Sequence, residues 1–153
     1  MSKGNVPAMT EFTITDATEA DIPDVLAIAR ASFPDPWSEQ NYRSALAYSV
    51  FCIARLEGKT VGFCVVNVSA DEAELYDIAV TEELRGSGAA TALLTEALAK
   101  AVTLGAKTVY LEVREGNGRA IAFYEKHGFS RLGIRKNYYA SPKENALLMS
   151  LSL

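Results

Sequence analysis

Apolar positions recur along this chain in two rhythms, and the switches between them mark its elements. Residues 12–15 alternate as a short strand, and residues 16–21 are polar and turn-like. Ile22, Val25, Leu26, Ile28 and Ala29 repeat with helical spacing, with Pro23 tolerated in the first turn. Phe33-Pro34-Asp35-Pro36-Trp37 must be a loop. Ser38, followed by Glu39 and Gln40, caps a second helix that runs to about Ala47. Residues 50–56 and 60–68 read as strands joined by a tight turn at Glu57-Gly58-Lys59. Residues 74–80 form the next strand, and a helix follows from Gly88 to about Leu104, stopped by Gly105. Residues 107–113 are a strand rich in Val, Tyr and Leu. Residues 117–126 are a helix ended near Gly128, and residues 129–136 and 145–151 are closing strands. The order β-α-α-β-β-β-α-β-α-β-β predicts a single α/β (or α+β) domain over residues 11–153, with a mixed sheet flanked by helices. Residues 1–10 read as a disordered tail.

Composition narrows the function classes. A chain of 153 residues with 49% hydrophobic and 22% charged residues can bury one sizeable core. The net charge of −4 and the lack of any Lys/Arg run argue against a nucleic-acid partner. The acidity suits an amine substrate, and equally it is the ordinary charge of a soluble protein. Two cysteines, Cys52 and Cys64, lie in apolar strand-like runs, as buried free thiols do in a reducing compartment. Neither neighbours the lone His127 in sequence, so no Cys–His nucleophile is suggested. No cluster of metal-ligand spacing occurs, so no metal is expected. No apolar run approaches the ~20 residues of a membrane span, and no secretory signal opens the chain. A cytoplasmic protein is expected.

The most informative stretch is residues 75–101. An apolar strand runs into Arg85-Gly86-Ser87-Gly88-Ala89-Ala90, which opens a helix. Small side chains allow a ligand close to the backbone, and the first helical amides lack intrahelical partners. With the helix dipole, they suit a phosphate or pyrophosphate. The same residues also suit a plain strand–helix connection. The P-loop ending and the complete dinucleotide fingerprint are both missing. Further on, period two puts Tyr110, Glu112 and Arg114 on one strand face. That face is either solvated, with Glu112 paired to Arg114, or chemically active. Tyr124 on the following helix is, on the bare pattern, a core residue. His127, directly before Gly128, reads as a helix-end cap.

Arg85-x-x-Gly88-x-Ala90 resembles the coenzyme loop of the GCN5-related N-acetyltransferases (GNAT). Leu111-Glu112-Val113-Arg114, Asn117, Ala120-Ile121, Tyr124 and Gly128-Phe129 resemble the signature of that superfamily's ribosomal-protein alanine N-acetyltransferases. Pro36-Trp37-Ser38, Ile78-Ala79-Val80 and Arg135-Lys136-Asn137-Tyr138-Tyr139 agree with it. The resemblance runs from about Ile14 to Leu153.

The resemblance implies a mostly antiparallel sheet splayed at an acetyl-CoA site, between the strands at 74–80 and 107–113. It implies acetyl-CoA as co-substrate and the N-terminal α-amine of a protein as acceptor. The leading acceptor is a small-subunit ribosomal protein beginning with alanine. The alternatives are another protein terminus, a small amine, or a non-catalytic acetyl-CoA-binding domain. Glu112 is implied as general base and Tyr124 as general acid. Ile78, Ala79 and Val80 would lie along the thioester. Arg85, Gly86, Ser87, Gly88, Ala89, Ala90 and Thr91 would hold the pyrophosphate, and Asn117 the pantetheine arm. Trp37, Tyr138 and Tyr139 would wall the acceptor entrance, unless Trp37 merely anchors its loop and the tyrosines cover a sheet edge. Asp77 and Glu74 remain rival carboxylates for the base role, because relatives often carry an uncharged residue at the Asp77 position.

Overall fold

Seven strands hydrogen-bond in the order β1-β2-β3-β4-β5-β7-β6. The computed structural model describes residues 12–153, so the tail expected over residues 1–10 lies outside the described residues. The strands are β1 (Phe12–Asp16), β2 (Val50–Leu56), β3 (Lys59–Ser69), β4 (Glu72–Val80), β5 (Thr108–Arg114), β6 (Ser130–Ala140) and β7 (Lys143–Ser152). The helices are α1 (Ile22–Ser32), α2 (Glu39–Tyr48), α3 (Ala89–Thr103) and α4 (Gly118–Lys126). The expected order holds. β4, β6 and β7 run longer than expected, and a 3₁₀ turn at Glu19–Asp21, absent from the sequence reading, precedes α1.

The two sheet faces follow from strand alternation. Cys52, Ala54, Cys64, Val66, Leu75, Val109 and Leu111 pack beneath Leu93, Leu94, Ala97 and Ala101 of α3. On the other face, Phe51, Ile53, Phe63, Val65 and Ala79 meet Ile22, Val25, Ile28 and Ala29 of α1 and Tyr42 and Ala45 of α2. Helix ends obey local chemistry. Pro23 sits in the first turn of α1, Ser38 Oγ accepts from the Asn41 amide at 3.1 Å, and Gly105 takes φ 101° after α3. Cys52 and Cys64 are free, buried and register partners, and burial pushes the Cys52 thiol up to about 11.

One buried polar group braces this framework. Asp21 is 4% exposed, and Arg55 on β2 meets both its carboxylate oxygens at 2.9 Å. Its Oδ2 also accepts from the Thr18 amide at 2.9 Å. Burial by itself would raise the carboxyl pKa, but the Arg55 and Thr18 hydrogen bonds hold it below its ordinary value. Asp21→Asn should therefore lower stability by about 2 kcal/mol in a urea titration at neutral pH. The folded pKa is depressed, so this contribution is complete above the unfolded Asp pKa of about 3.9 and disappears as pH falls through the folded value. The wild-type and Asp21→Asn midpoints should converge in acid.

The feature that positions the site is a break in the sheet. All neighbouring strands pair antiparallel except β4 and β5, which run parallel and are joined through α3. Their pairing covers only Glu72–Leu75 against Thr108–Leu111. Beyond Leu75 and Leu111 the two strands continue without bonding each other. The result is the splay that the family resemblance implied, a fork with β4 and β5 as its lips.

Candidate active site

The β4 lip carries a bulge. Val65 of β3 faces Asp77 and Val66 faces Leu75, leaving Tyr76 as the extra residue. A bulge turns two successive side chains to one side of the sheet. Tyr76 and Asp77 therefore both face α2. Tyr76 packs on Trp37 with ring centroids 5.1 Å apart, and Asp77 accepts from the Tyr42 hydroxyl at 2.6 Å. Further along, the Thr81 amide donates to Val61 O on β3 at 2.8 Å. A strand's amides alternate in direction, so those of Ile78 and Val80 point into the fork, where β5 no longer receives them.

Past the fork, the chain turns into α3. Gly86 and Gly88 adopt φ of 80° and 100°, conformations that side chains with a Cβ rarely take. Ser87 Oγ donates to Leu84 O at 2.5 Å and accepts from the Ala89 amide at 3.4 Å. The amides of Gly86, Gly88, Ala90 and Thr91 have no partner among the described residues. No acidic residue stands in the first turn of α3. Thr91 is tied by its hydroxyl to His127 Nε2 at 3.0 Å. His127 Nδ1 lies 2.9 Å from Phe123 O, to which it donates. His127 thus closes α4 and also holds the first turn of α3.

The β5 lip carries Glu112, whose side chain is 19% exposed. Its partner is not Arg114. Arg135 on β6 donates to Glu112 Oε2 at 2.6 Å. Arg114 reaches Asp35 and Glu144 instead. β6 makes this possible through a wide bulge. Arg135 faces Ala146 while Tyr139 faces Glu144, and Asn137 between them takes φ 53°. The bulge brings Tyr139 to Arg114 of the β5 lip and Tyr138 to Arg135 of β6. The Arg135 guanidinium lies 4.9 Å over the Tyr138 ring, and the Arg114 guanidinium 4.3 Å over the Tyr139 ring. Both tyrosines lie within β6 itself, which the sequence reading ended at residue 136.

The remaining candidates divide around the fork. Tyr124 on α4 is buried against Phe123 and Phe129. Burial pushes its hydroxyl pKa well up, and the fields of Cys64, Asp77 and Tyr139 add to this, so the group stays protonated. Asp77 is itself raised to about 6, first by burial and then by Asp35, against the opposing Tyr42 hydrogen bond. Glu74, in register with Tyr110, is raised by burial and by Glu112. The Tyr138 hydroxyl is raised through its hydrogen bond to Glu112, and Tyr139 to about 12 by burial. Asn117 Oδ1 accepts from the Ala120 amide at 3.1 Å and so caps α4. Trp37 anchors its loop on Tyr42 and Tyr76 and lines an open pocket of about 310 Å³ with Asn41, Asn67 and Tyr76. Among the described residues, no group of three or more His, Cys, Asp or Glu side chains could hold a metal ion. No described helix is long and apolar enough to cross a membrane.

Sequence reasoning missed Tyr42 and the pairing role of Arg135. Arg135 opens the Arg135-Lys136-Asn137-Tyr138-Tyr139 segment, but nothing local links it to Glu112. Tyr42 read only as part of a capped helix.

Comparison with known proteins adds a consistent set of likenesses. The family described as Acetyltransferase (GNAT) matches residues 22–129. The [ribosomal protein bS18]-alanine N-acetyltransferase of Escherichia coli is 34% identical over 145 residues, covering 92% of this chain and 97% of the relative. The crystal structure of the ribosomal-protein-S18-alanine N-acetyltransferase from Escherichia coli superposes with a TM-score of 0.84 at 33% identity, covering 92% of this chain and 93% of the other. Ard1 from Thermoplasma volcanium superposes with a TM-score of 0.89 at 31% identity, covering 94% and 98%.

Proposed function

Because this chain belongs to the acetyltransferase (GNAT) family, we propose that it transfers an acetyl group from acetyl-CoA to the N-terminal alanine of ribosomal protein bS18. The observation that carries this reading is the fork. Free amides at the start of α3 stand at one end, and Glu112, Arg135, Tyr138 and Tyr139 gather on its β5 side. The near full-length likeness to the bS18-alanine enzyme of Escherichia coli supports this acceptor. Such an acceptor is made in the cytoplasm.

The residues fit the co-substrate. The backbone amides of the segment Arg85 to Thr91, with the positive end of a 15-residue helix, suit a pyrophosphate. Open space surrounds the Gly86 Cα, so an anion can approach the backbone closely. Asn117, at the head of α4, would bond the pantetheine arm. Acetyl-CoA supplies an activated thioester. The amides of Ile78 and Val80, directed into the fork, donate to its carbonyl oxygen as negative charge develops there.

The proton inventory assigns the side chains. A terminal ammonium must lose a proton before its nitrogen can attack, since its pKa is about 7.7–8.0. Glu112 accepts it as general base, directly or through one water. Arg135 fixes the direction of the Glu112 carboxylate. The departing sulfur takes a proton from Tyr124, which is regenerated from the second proton lost by the nitrogen. No covalent acyl-enzyme is required. Trp37, Tyr138 and Tyr139 wall the acceptor's path with rings whose polar ends can bond a peptide backbone.

A peptide panel tests the acceptor. Peptides with a free N-terminal alanine should react. The same peptides with a blocked terminus and one free lysine should react about two orders of magnitude more slowly near pH 7.5, because the lysine pKa of about 10.4 leaves far less neutral amine. Equal rates would overturn terminal specificity. Thiol release that does not depend on any peptide or amine would overturn acetyl transfer to an acceptor. Absence of thiol release with every amine would leave only an acetyl-CoA-binding role.

A further inference from the structure

Beyond Leu75 and Leu111, where the strands part, each lip of the fork carries one carboxylate. Glu112 stands on the β5 lip, on the face away from α3, and is paired with a cation, Arg135. Asp77 stands on the β4 lip, turned to the same face by the bulge at Tyr76. Its partner is a phenol. The Tyr42 hydroxyl donates to Asp77 Oδ2 at 2.6 Å, and among the described residues Oδ1 has no donor and no Lys, Arg or His pairs with the group. Tyr42 is fully buried, with its ring centroid 5.3 Å from that of Trp37, 5.5 Å from Phe63 and 6.2 Å from Phe51. The α2 side of Asp77 is thus filled by aromatic rings. Asp77 itself is partly exposed, so its open side is the fork.

A desolvated carboxylate without a counter-charge is costly to keep ionised. Here the nearest charge, Asp35, has the same sign and adds to the cost. A cation beside Oδ1 would offset both effects. The acceptor brings one, because a terminal amine with a pKa of about 7.7–8.0 arrives mostly as ammonium at neutral pH. Asp77 is also close enough to Tyr124 for its charge to act on that hydroxyl. A nitrogen held at Asp77 therefore stands near the group that serves the departing sulfur.

We propose that Asp77, oriented by Tyr42, is the ammonium-binding residue of the acceptor site, and that its free oxygen receives the charged amine before Glu112 on the opposite lip takes the proton. The two carboxylates differ in task because they differ in partner. Glu112 has its cation in Arg135, whereas Asp77 takes its cation from the substrate. A salt bridge at Asp77 favours the ammonium over the neutral amine, so it aids binding and not proton loss. Its removal should appear in KM rather than in kcat. The inference rests on the reading of the fork as the acetyl-transfer site.

Calorimetry on the CoA-bound protein near pH 7 compares a peptide with a free N-terminal alanine against the same peptide with a hydroxyl in place of its α-amine. The wild type should hold the amine peptide about tenfold more tightly, the effect of one charge-assisted contact. Asp77→Asn keeps the shape and an acceptor for Tyr42, and should bring the two peptides within about twofold. Its KM for the alanine peptide should rise about tenfold, its kcat should fall by less than about threefold, and its acetyl-CoA affinity should not change. Tyr42→Phe keeps the ring packing but removes the donor to Asp77, so the carboxyl holds its proton to higher pH and the preference near pH 7 should shrink. In the wild type the preference should fade as pH falls through about 6, where Asp77 gains a proton while the amine stays charged. The other titratable groups around Asp77 are Tyr42 of α2, Tyr124 of α4 and Cys64 of β3, all pushed up by burial, and Asp35 of the α1–α2 loop. Asp35→Asn should leave the fade in place. No preference in the wild type, or an equal preference in Asp77→Asn, would overturn the proposal. So would a large fall in the kcat of Asp77→Asn at unchanged KM, the mark of a base. If Asp77→Asn does not fold, a wild-type preference that persists undiminished to pH about 5 overturns it. If the wild type acetylates no peptide, the transfer reading fails, and the binding comparison still decides the role of Asp77.

Discussion

Gly88→Asp should abolish measurable acetyl-CoA binding while the protein stays folded. Gly88 stands at the N-cap of α3 with φ 100°, between free amides. Asp and Asn both tolerate the left-handed region better than other side chains, so the backbone strain is about the same for the two. They differ in charge. An Asp carboxylate at this point occupies the positive end of the helix and repels a pyrophosphate. Like-charge juxtaposition costs several kcal/mol, which at about 1.4 kcal/mol per decade is at least a hundredfold in affinity. Gly88→Asn should lose affinity from bulk alone and remain clearly tighter than Gly88→Asp. Calorimetry with acetyl-CoA, alongside a thermal melt of each variant, makes the comparison. Equal affinities for the wild type and Gly88→Asp would remove the pyrophosphate from this loop.

Glu112→Gln should lower kcat by about 10²–10⁴ at neutral pH, the usual cost of removing a positioned acid–base group. Part of the loss should return as pH rises past about 8, where the terminal amine is already neutral. The ion pair with Arg135 calls for a control, since Glu112→Gln also strips that arginine of its partner. Arg135→Gln keeps the carboxylate and should cost far less in kcat. The rival carboxylates have their own signature. Asp77, raised to about 6 by burial, is bonded to Tyr42, and Glu74 is raised by burial and by Glu112. Full activity in Glu112→Gln together with a large loss in Asp77→Asn or Glu74→Gln would move the base to the β4 lip. The pH profile would move with it, because a base with a pKa near 6 gives an acidic limb there that Asp77→Asn erases.

What could be read in the chain was whatever is decided within a few residues. The alternation of residues 50–68, the helical spacing from Ile22 to Ala29, the Ser38 cap and the Gly105 stop depend on local φ/ψ preferences and short-range hydrogen bonds. The Gly-rich turn before α3 was legible for the same reason, since left-handed backbone calls for glycine. The splay between β4 and β5 was available only through family resemblance. Two parallel strands part because of what α3 and the neighbouring strands impose on them, and no spacing in the sequence records where pairing stops.

Tertiary structure decided the partners. Glu112 and Arg114 share a strand face, yet Glu112 pairs with Arg135, 23 residues on, and Arg114 with Asp35 and Glu144. The β6 bulge around Asn137 and the β4 bulge at Tyr76 each shift side-chain parity by backbone geometry that neither local sequence announces. Asp77 and Tyr42 are 35 residues apart and meet only when α2 lies on the sheet. Residue type and periodicity determine which groups are present and which way an element faces. Charge state and pairing depend on burial and on distances of a few ångströms between remote residues, and these exist only once strand register and helix packing have been set.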